Sequence, residues 1–373
     1  MGKTMLRELA MICGIVFCAS RAVSAQEKAP IRVALVGLAH GHASGLLRAL
    51  PQSKSAKLVA IVELQAALQQ QYAGKFHLDK GLFYTDLEKM LNEQHPDAVL
   101  VYTAIYEHRR IIETAAKHGV NSMVEKPLST TLEDAIAIRK AAREHHVQVL
   151  VNYETTWYAS NREVYAEVKE GKLGEVRRIV VHDGHEGPKE IGVEPEFLEW
   201  LTDPVKNGAG ALFDFGCYGA DLATVLMRGQ APVSVSAVTQ TEKPEIYPKV
   251  DDEATVVLRY AKAQAVLMPS WNWPFSRKDM EVYGATGYAI TMGADRLRVR
   301  YHGEKKESEV AAPAAPVAES NSLDYLAGVL RGEIKTEGDA SSLETNMVVM
   351  QILDAARRAA ATGKTVAIAK LPE

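Results

Sequence analysis

Three residues carry the strongest chemical signal in the chain. In "VEKPLST", Val124 to Thr130, a carboxylate, an ammonium and a proline follow directly on an apolar, strand-like run. Further on, "NGAGALFDFGCYGADL" places small residues at a helix start, with Asp214 and Tyr218 four positions apart. That spacing is about one helical turn, so the two share a helix face. A carboxylate and a phenol would then point together into one cleft. A phenol ionises near pH 10, about three units too high for a base at neutral pH. An ammonium beside it would favour tyrosinate and lower that value. The structural alternative is that Asp214 caps the helix and Tyr218 packs in the core.

A second constellation lies near the start. "VALVGLAHGHASG" (Val33 to Gly45) stands where a dinucleotide fingerprint belongs, at the end of a first strand and the start of its helix. Gly37 holds the first glycine position, Ala39 the second and His42 the third, with Leu38 and His40 between. Ala39 is small enough for a pyrophosphate to approach the backbone, and His42 offers a donor to a phosphate. Glu63 ends the second strand, where its carboxylate would accept from a ribose hydroxyl and repel a 2′-phosphate. NAD is therefore expected over NADP. His40 and His42 also resemble a metal pair, but no carboxylate or cysteine stands nearby in sequence, so no metal is expected. "HDGHEGP" (His182 to Pro188) follows a strand and reads as a loop over the cleft. His182, Asp183, His185 and Glu186 offer either a metal set or, preferred here, sugar hydrogen bonding by His185 and Glu186. Tyr153, Trp157, Trp200, Trp271 and Trp273 supply aromatic faces, of which one or two could stack on a sugar ring.

These residues need elements to position them. From "IRVALVG" to "VQVLVNY", apolar strand-like runs alternate strictly with helical ones. The helix "HRRIIETAAKHG" ends in glycine, and Thr85 or Asp86 caps "LEKMLNEQ". Strict alternation predicts βαβ units: an α/β, Rossmann-type doubly wound parallel sheet over residues 30–152. Residues 153–373 read as an α+β domain with an open, mostly antiparallel sheet. Its strands include "VRRIVVHDG", "VSVSAVTQ", "EATVVLRYA", "AQAVLMPSW" and "MEVYGATGYAITM". "GALFDFGCYGADLATVLM" reads as one helix and "AAPAAPVAES" as a linker. The final helix and strand, 341–370, are expected to pack back toward the first domain.

With these motifs in place the chain resembles the Gfo/Idh/MocA family, which includes glucose–fructose oxidoreductase and inositol dehydrogenase. The resemblance runs from "IRVALVG" to "ATGKTVAI". "VEKPLS" and "GAGALFDFGCYGADL" carry it, and "VYGATGY" and "LVNYETTWYASNREVYAEVKEGKLGEV" support it. It implies that Lys126 lies over a nicotinamide and contacts the substrate hydroxyl, while Glu125 positions the loop and the ring. It further implies a cofactor site of Gly37, Leu38, Ala39, His40, His42, Glu63, Thr103, His108, Glu125 and Lys126. The family's usual proline after Thr103 is replaced by Ala104. Substrate would meet Lys126, Tyr153, Trp157, His185, Asp214 and Tyr218. Most relatives carry histidine at the Tyr218 position; the glucose–fructose oxidoreductase branch carries tyrosine. The implied activity is hydride transfer between a nicotinamide cofactor and a hydroxyl of a sugar, cyclitol or glycoside. Lys126, Asp214 and Tyr218 are the catalytic residues, and a homo-oligomer is the implied assembly.

Composition bounds the rest. The 373 residues are 47% hydrophobic and 24% charged, with a net charge of -4 and no run of one sign, so nucleic acid is not an expected partner. Residues 1–25 read as a secretory leader: Lys3 and Arg7, the apolar stretch Leu9 to Ala19, then Val23-Ser24-Ala25 with cleavage after Ala25. The apolar stretch is too short to span a bilayer, so no membrane anchor is expected after cleavage. Cleavage removes Cys13 and Cys18 and leaves only Cys217, hence no internal disulfide. A secreted or periplasmic enzyme lacks a free NAD pool, so the cofactor is expected to stay tightly bound. Two rivals follow: an NAD-dependent glycosidase or lyase that oxidises its substrate transiently, and a non-catalytic sugar binder with a decayed cofactor site.

Overall fold

The computed structural model describes residues 28–371. The leader expected over residues 1–25, its cleavage site, and Cys13 and Cys18 lie outside the described residues.

The first layer alternates strands and helices: β1 (Ile31–Val36), α1 (Ala43–Ala49), β2 (Ala56–Val62), α2 (Ala66–Phe76), β3 (Phe83–Tyr84), α3 (Leu87–Gln94), β4 (Ala98–Val101), α4 (His108–Lys117), β5 (Asn121–Glu125), α5 (Leu132–Glu144) and β6 (Val149–Asn152). The six strands are parallel, in the order β3-β2-β1-β4-β5-β6. β4 and most of β1 are buried, as an apolar run covered by helices on both faces must be. The order reverses between β1 and β4, so their carboxyl ends open the crevice in which doubly wound sheets bind ligands. Local chemistry sets the boundaries. Asp86 accepts the Lys89 N–H at 2.8 Å to cap α3, and Thr131 accepts the Asp134 N–H at 3.1 Å to cap α5. Gly119, at φ +69°, closes α4.

The chain continues through α6 (Ala159–Lys169), β7 (Val176–Gly184), α7 (Pro195–Leu201), α8 (Ala211–Asp214), α9 (Gly216–Leu226), β8 (Ser234–Gln240), β9 (Glu253–Arg259), β10 (Gln264–Ser270), β11 (Arg277–Gly284), β12 (Gly287–Thr291), β13 (Arg296–Tyr301), β14 (Ser308–Ala311), α10 (Ser322–Leu330), α11 (Leu343–Thr362) and β15 (Val366–Ala367). Its nine-stranded sheet runs β14-β13-β12-β11-β7-β10-β9-β8-β15 and is antiparallel except between β7 and β10. Burial alternates along β9, so one face is packed and the other open. α9 and α11 cover the packed face. α11 reaches both domains: its Glu344 pairs with Arg143 of α5 at 2.9 Å, while β15, which follows it, pairs with β8.

Two local features differ from the sequence reading. β13, "RLRVRY", was not anticipated: its alternate arginines hide a strand whose Leu297 and Val299 face inward. The expected single helix over 210–227 breaks at Phe215 into α8 and α9. At the break the Asp214 carbonyl accepts Lys126 Nζ and the Tyr218 N–H bonds the Phe215 carbonyl instead. A Cβ on Gly210 would lie 1.8 Å from the Asp251 carbonyl oxygen. That approach lets the Asp251 carboxylate accept the N–H groups of Gly210 and Leu212, at 2.9 and 2.7 Å.

Candidate active site

β5 delivers Lys126 to the carboxyl edge of the parallel sheet, and α8 delivers Asp214 to meet it. Lys126 Nζ donates to Asp214 Oδ1 at 2.5 Å and to the Asp214 carbonyl at 2.8 Å. Trp271 Nε1 donates to Asp214 Oδ2 at 3.0 Å. Both members of the pair are buried. Burial alone would lower the Lys126 pKa, but the Asp214 carboxylate overrides it and holds the ammonium above its ordinary range. Burial would raise Asp214; the Lys126 charge and hydrogen bond hold it below the usual carboxylate range instead. An ammonium has three N–H bonds. Two are used on Asp214, which leaves one for a substrate oxygen.

Tyr218, at the start of α9, is 1% exposed. Two ammoniums flank its ring, Lys126 Nζ at 4.9 Å and Lys278 Nζ at 4.6 Å from the centroid. Asp214 and Tyr218 thus do meet Lys126, across a broken helix rather than along one face. The expected lowering of the phenol is overturned. Burial is the largest cause, with neighbouring acidic groups adding to it, and it pushes the phenol well above its ordinary value. The physical reason is that Lys126 is already neutralised by Asp214, and Lys278 by an ion pair with Glu154. Tyr218 is therefore a protonated phenol. Sequence reading missed Lys278; only the pairing of β11 with β7 brings it here, and no local motif marks it.

The β1–α1 turn retains the glycine it needs. Gly37 has φ +85°, and a Cβ there would lie 2.4 Å from Thr103 Cγ2. Glu63 binds the turn itself: Oε2 accepts the Leu38 N–H and Oε1 the Gln65 N–H, both at 2.8 Å. His40 is buried against Phe197 and Trp200 of α7, and Trp200 Nε1 donates to the Ala39 carbonyl at 3.1 Å. His42 Nδ1 lies 3.0 Å from Glu125 Oε2, and Asn152 donates to Glu125 Oε1 at 2.8 Å. Burial alone would raise Glu125, but His42, His40 and Asn152 hold it at about 2.

The expectation that His40 and His42 lack a carboxylate is corrected, because β5 brings Glu125 to them. These three form the one metal-competent trio among the described residues. Within the trio His40 Nδ1 accepts the His42 N–H at 3.2 Å, and His42 Nδ1 meets Glu125 Oε2. His182 and His185 do not converge. His182 pairs with Asp279 at 2.9 Å, while His185 lies edge-on to Phe215 at 4.9 Å.

Four further assignments change. Tyr153 is 0% exposed and its hydroxyl is spent on Asn346, so it packs behind Tyr218 rather than touching substrate. Trp157 donates to Asn152 Oδ1 at 3.1 Å, so it supports Glu125 through Asn152, and its ring packs edge-on with Tyr325. Trp271 likewise serves Asp214. His108 is fully buried, lowered to about 4 by that burial, and bonds the Leu128 carbonyl at 3.2 Å. It props the segment after Lys126 through that bond, and its Nε2 is buried with no partner among the described residues. His185 is half-buried and neutral; burial lowers it, and Nδ1 accepts the Gly187 N–H at 2.9 Å, leaving Nε2–H to donate.

Comparison with known proteins places the chain. Residues 31–153 match the oxidoreductase family with an NAD-binding Rossmann fold, and residues 161–290 match the GFO/IDH/MocA C-terminal domain. The chain belongs to the Gfo/Idh/MocA oxidoreductase family. It is similar to trans-1,2-dihydrobenzene-1,2-diol dehydrogenase of Xenopus tropicalis, 25% identical over 57% of this chain and 60% of that protein. The match thus spans about three fifths of that relative. The fold is shared with aldose-aldose oxidoreductase from Caulobacter crescentus complexed with glycerol (TM-score 0.77, 23% identity, 91% and 99% of the two chains). It is also shared with an inositol dehydrogenase homolog complexed with NAD+ from Azotobacter vinelandii (TM-score 0.78, 20% identity, 92% and 98%).

The residues present suit a nicotinamide dinucleotide in kind. Gly37 keeps the tight turn. Each Glu63 oxygen retains a lone pair for a ribose hydroxyl, while its charge opposes a 2′-phosphate. Thr103, His42 and Glu125 line the way to Lys126. α7 lies across the turn and leaves a crevice of about 190 Å³ lined by Leu38 to Gly41 and Tyr72.

Proposed function

We propose that this chain is an NAD-linked oxidoreductase acting on a hydroxyl, or the corresponding carbonyl, of a sugar, cyclitol or glycoside. The observation that carries the reading is the Lys126–Asp214–Tyr218 cluster at the carboxyl edge of the parallel sheet. The names of similar proteins agree, being a diol dehydrogenase and an aldose oxidoreductase. Gly37 to His42, Glu63, Thr103 and Glu125 would hold the dinucleotide, which when bound supplies a hydride acceptor or donor. NAD is preferred to NADP because Glu63 is buried at the end of β2. The remaining chemistry belongs to the protein. The free N–H of Lys126 polarises the substrate oxygen, Tyr218 offers a second proton donor, and Asp214 fixes the ammonium in place.

The leader favours export, and export favours a cofactor that stays bound. Redox-neutral cleavage of a glycoside is the second reading this supports. Sequencing the mature N-terminus tests the export proposal. A homo-oligomer paired through the open sheet face is also proposed, to be checked by light scattering.

The deciding experiment is mass spectrometry of cofactor released from the purified protein, with absorbance in the reduced-nicotinamide band. Recovered NAD supports the bound-cofactor enzyme. A protein that yields none, and gains no thermal stability from added NAD or NADP, is a sugar binder instead.

A further inference from the structure

Asp183, on β7, is the polar side chain in the cleft that the proposed chemistry does not use. It is 2% exposed, and neither carboxyl oxygen has a hydrogen-bond partner among the described residues. Buried polar groups without partners are rare because nothing repays the lost hydration. Such a group beside a catalytic cluster marks a place kept for a ligand.

Its position is set by strand register. Asp183 stands directly opposite Lys278 on β11, so the two side chains share one face of the sheet. That face carries Lys278 to the Tyr218 ring. The neighbouring cross-strand pair, His182 and Asp279, bonds to itself on the opposite face. The charges around Asp183 are already committed, Lys126 to Asp214 and Lys278 to Glu154. The wall therefore consists of two closed ion pairs and one open carboxyl. Burial raises that carboxyl well above its ordinary range against the pull of Lys278 and Lys126, which favours the protonated acid.

This arrangement selects a class of ligand. A phosphate or carboxylate on the substrate would enter a cleft with no cation to spare. A hydroxyl both donates and accepts, which is what a carboxylic acid offers in return. We propose that Asp183 is a specificity-determining residue that binds a hydroxyl of an uncharged polyol, a cyclic polyol or sugar free of phosphate and carboxylate, beside Tyr218. The proposal rests on the oxidoreductase reading for the identity of the cleft.

The test compares wild type with Asp183→Leu and Asp183→Asn. Thermal shift and calorimetry would be run with myo-inositol, D-glucose and D-xylose, and with D-glucuronate and D-glucose 6-phosphate, each with NAD present. At least one uncharged polyol should stabilise the wild type and the Asn variant, whose amide also donates and accepts. The same polyol should bind the Leu variant about tenfold more weakly or worse, the scale of a lost hydrogen bond. The Leu variant alone should melt no lower than wild type, since it removes an unpaired buried group. If it does not fold, Asp183→Ala carries the same comparison. Equal responses of wild type and Leu variant, including no response from either, overturn the proposal. So does preference for the charged sugars. NAD binding is read on the same samples without polyol: no NAD response together with a polyol difference supports Asp183 and overturns the redox reading.

Discussion

Lys126 Nζ lies 2.5 Å from Asp214 Oδ1, although the two residues are 88 positions apart and come from different domains. The ion pair is buried, so each charge depends on the other. Removing one partner leaves an uncompensated charge, which costs about 3–5 kcal/mol. Lys126→Met and Asp214→Asn should each destabilise the protein by about that much. The double variant should lose less than the sum. Denaturant unfolding of the four proteins checks this; additive losses would mean the pair is not coupled.

Lys126 and Tyr218 are both displaced upward and so stay protonated at neutral pH. The site is set to give a proton to a carbonyl oxygen rather than to take one from a hydroxyl. Reduction should therefore need no prior ionisation. Oxidation should accelerate steadily between about pH 7 and pH 10, because the deprotonated forms grow throughout that range. Profiles of kcat/KM in both directions with one sugar decide it, and an oxidation profile that levels off below about pH 8 would point to another base.

Gly210 has no room for a side chain, because a Cβ would meet the Asp251 carbonyl at 1.8 Å. Gly210→Ala should shift α8 and with it Asp214. A melting temperature several degrees lower, with activity lost by about a hundredfold, is the expected result. Unchanged activity would show that Asp214 tolerates the movement.

Asp221 on α9 is fully buried with both oxygens unbonded, and burial and Asp339 raise its pKa. The folded protein then keeps a proton that the unfolded chain releases above about pH 4, so this group lowers stability as pH rises. Asp221→Asn should raise the melting temperature, and more at about pH 8 than at about pH 5. A gain that does not grow with pH would mean the carboxyl is not held protonated.

Trp271 holds the Asp214 oxygen that Lys126 leaves free. Trp271→Phe should cost about 1–3 kcal/mol, the scale for a buried acceptor left unpaired. It should also lower kcat more than it raises KM if Asp214 orients the ammonium during the reaction. Steady-state kinetics separates the two.

The parallel sheet was legible from sequence because its strands are short apolar runs separated by capped helices, a pattern written locally. Asp86, Thr131 and Gly119 mark helix boundaries by chemistry that needs no distant partner. Lys126, Asp214 and Tyr218 were legible as residue types within motifs. What no local pattern encodes is which groups they face. The ionisation of Tyr218 depends on Lys126 being neutralised by Asp214 and Lys278 by Glu154, and these partners come from separate elements. Glu125 meets His42 only because β5 and the β1 turn end at the same sheet edge. Asp183 is open only because β7 and β11 pair in one register. Periodicity and capping act over a few residues and so determine the elements. Charge, burial and hydrogen-bond satisfaction act through space and so belong to the tertiary structure.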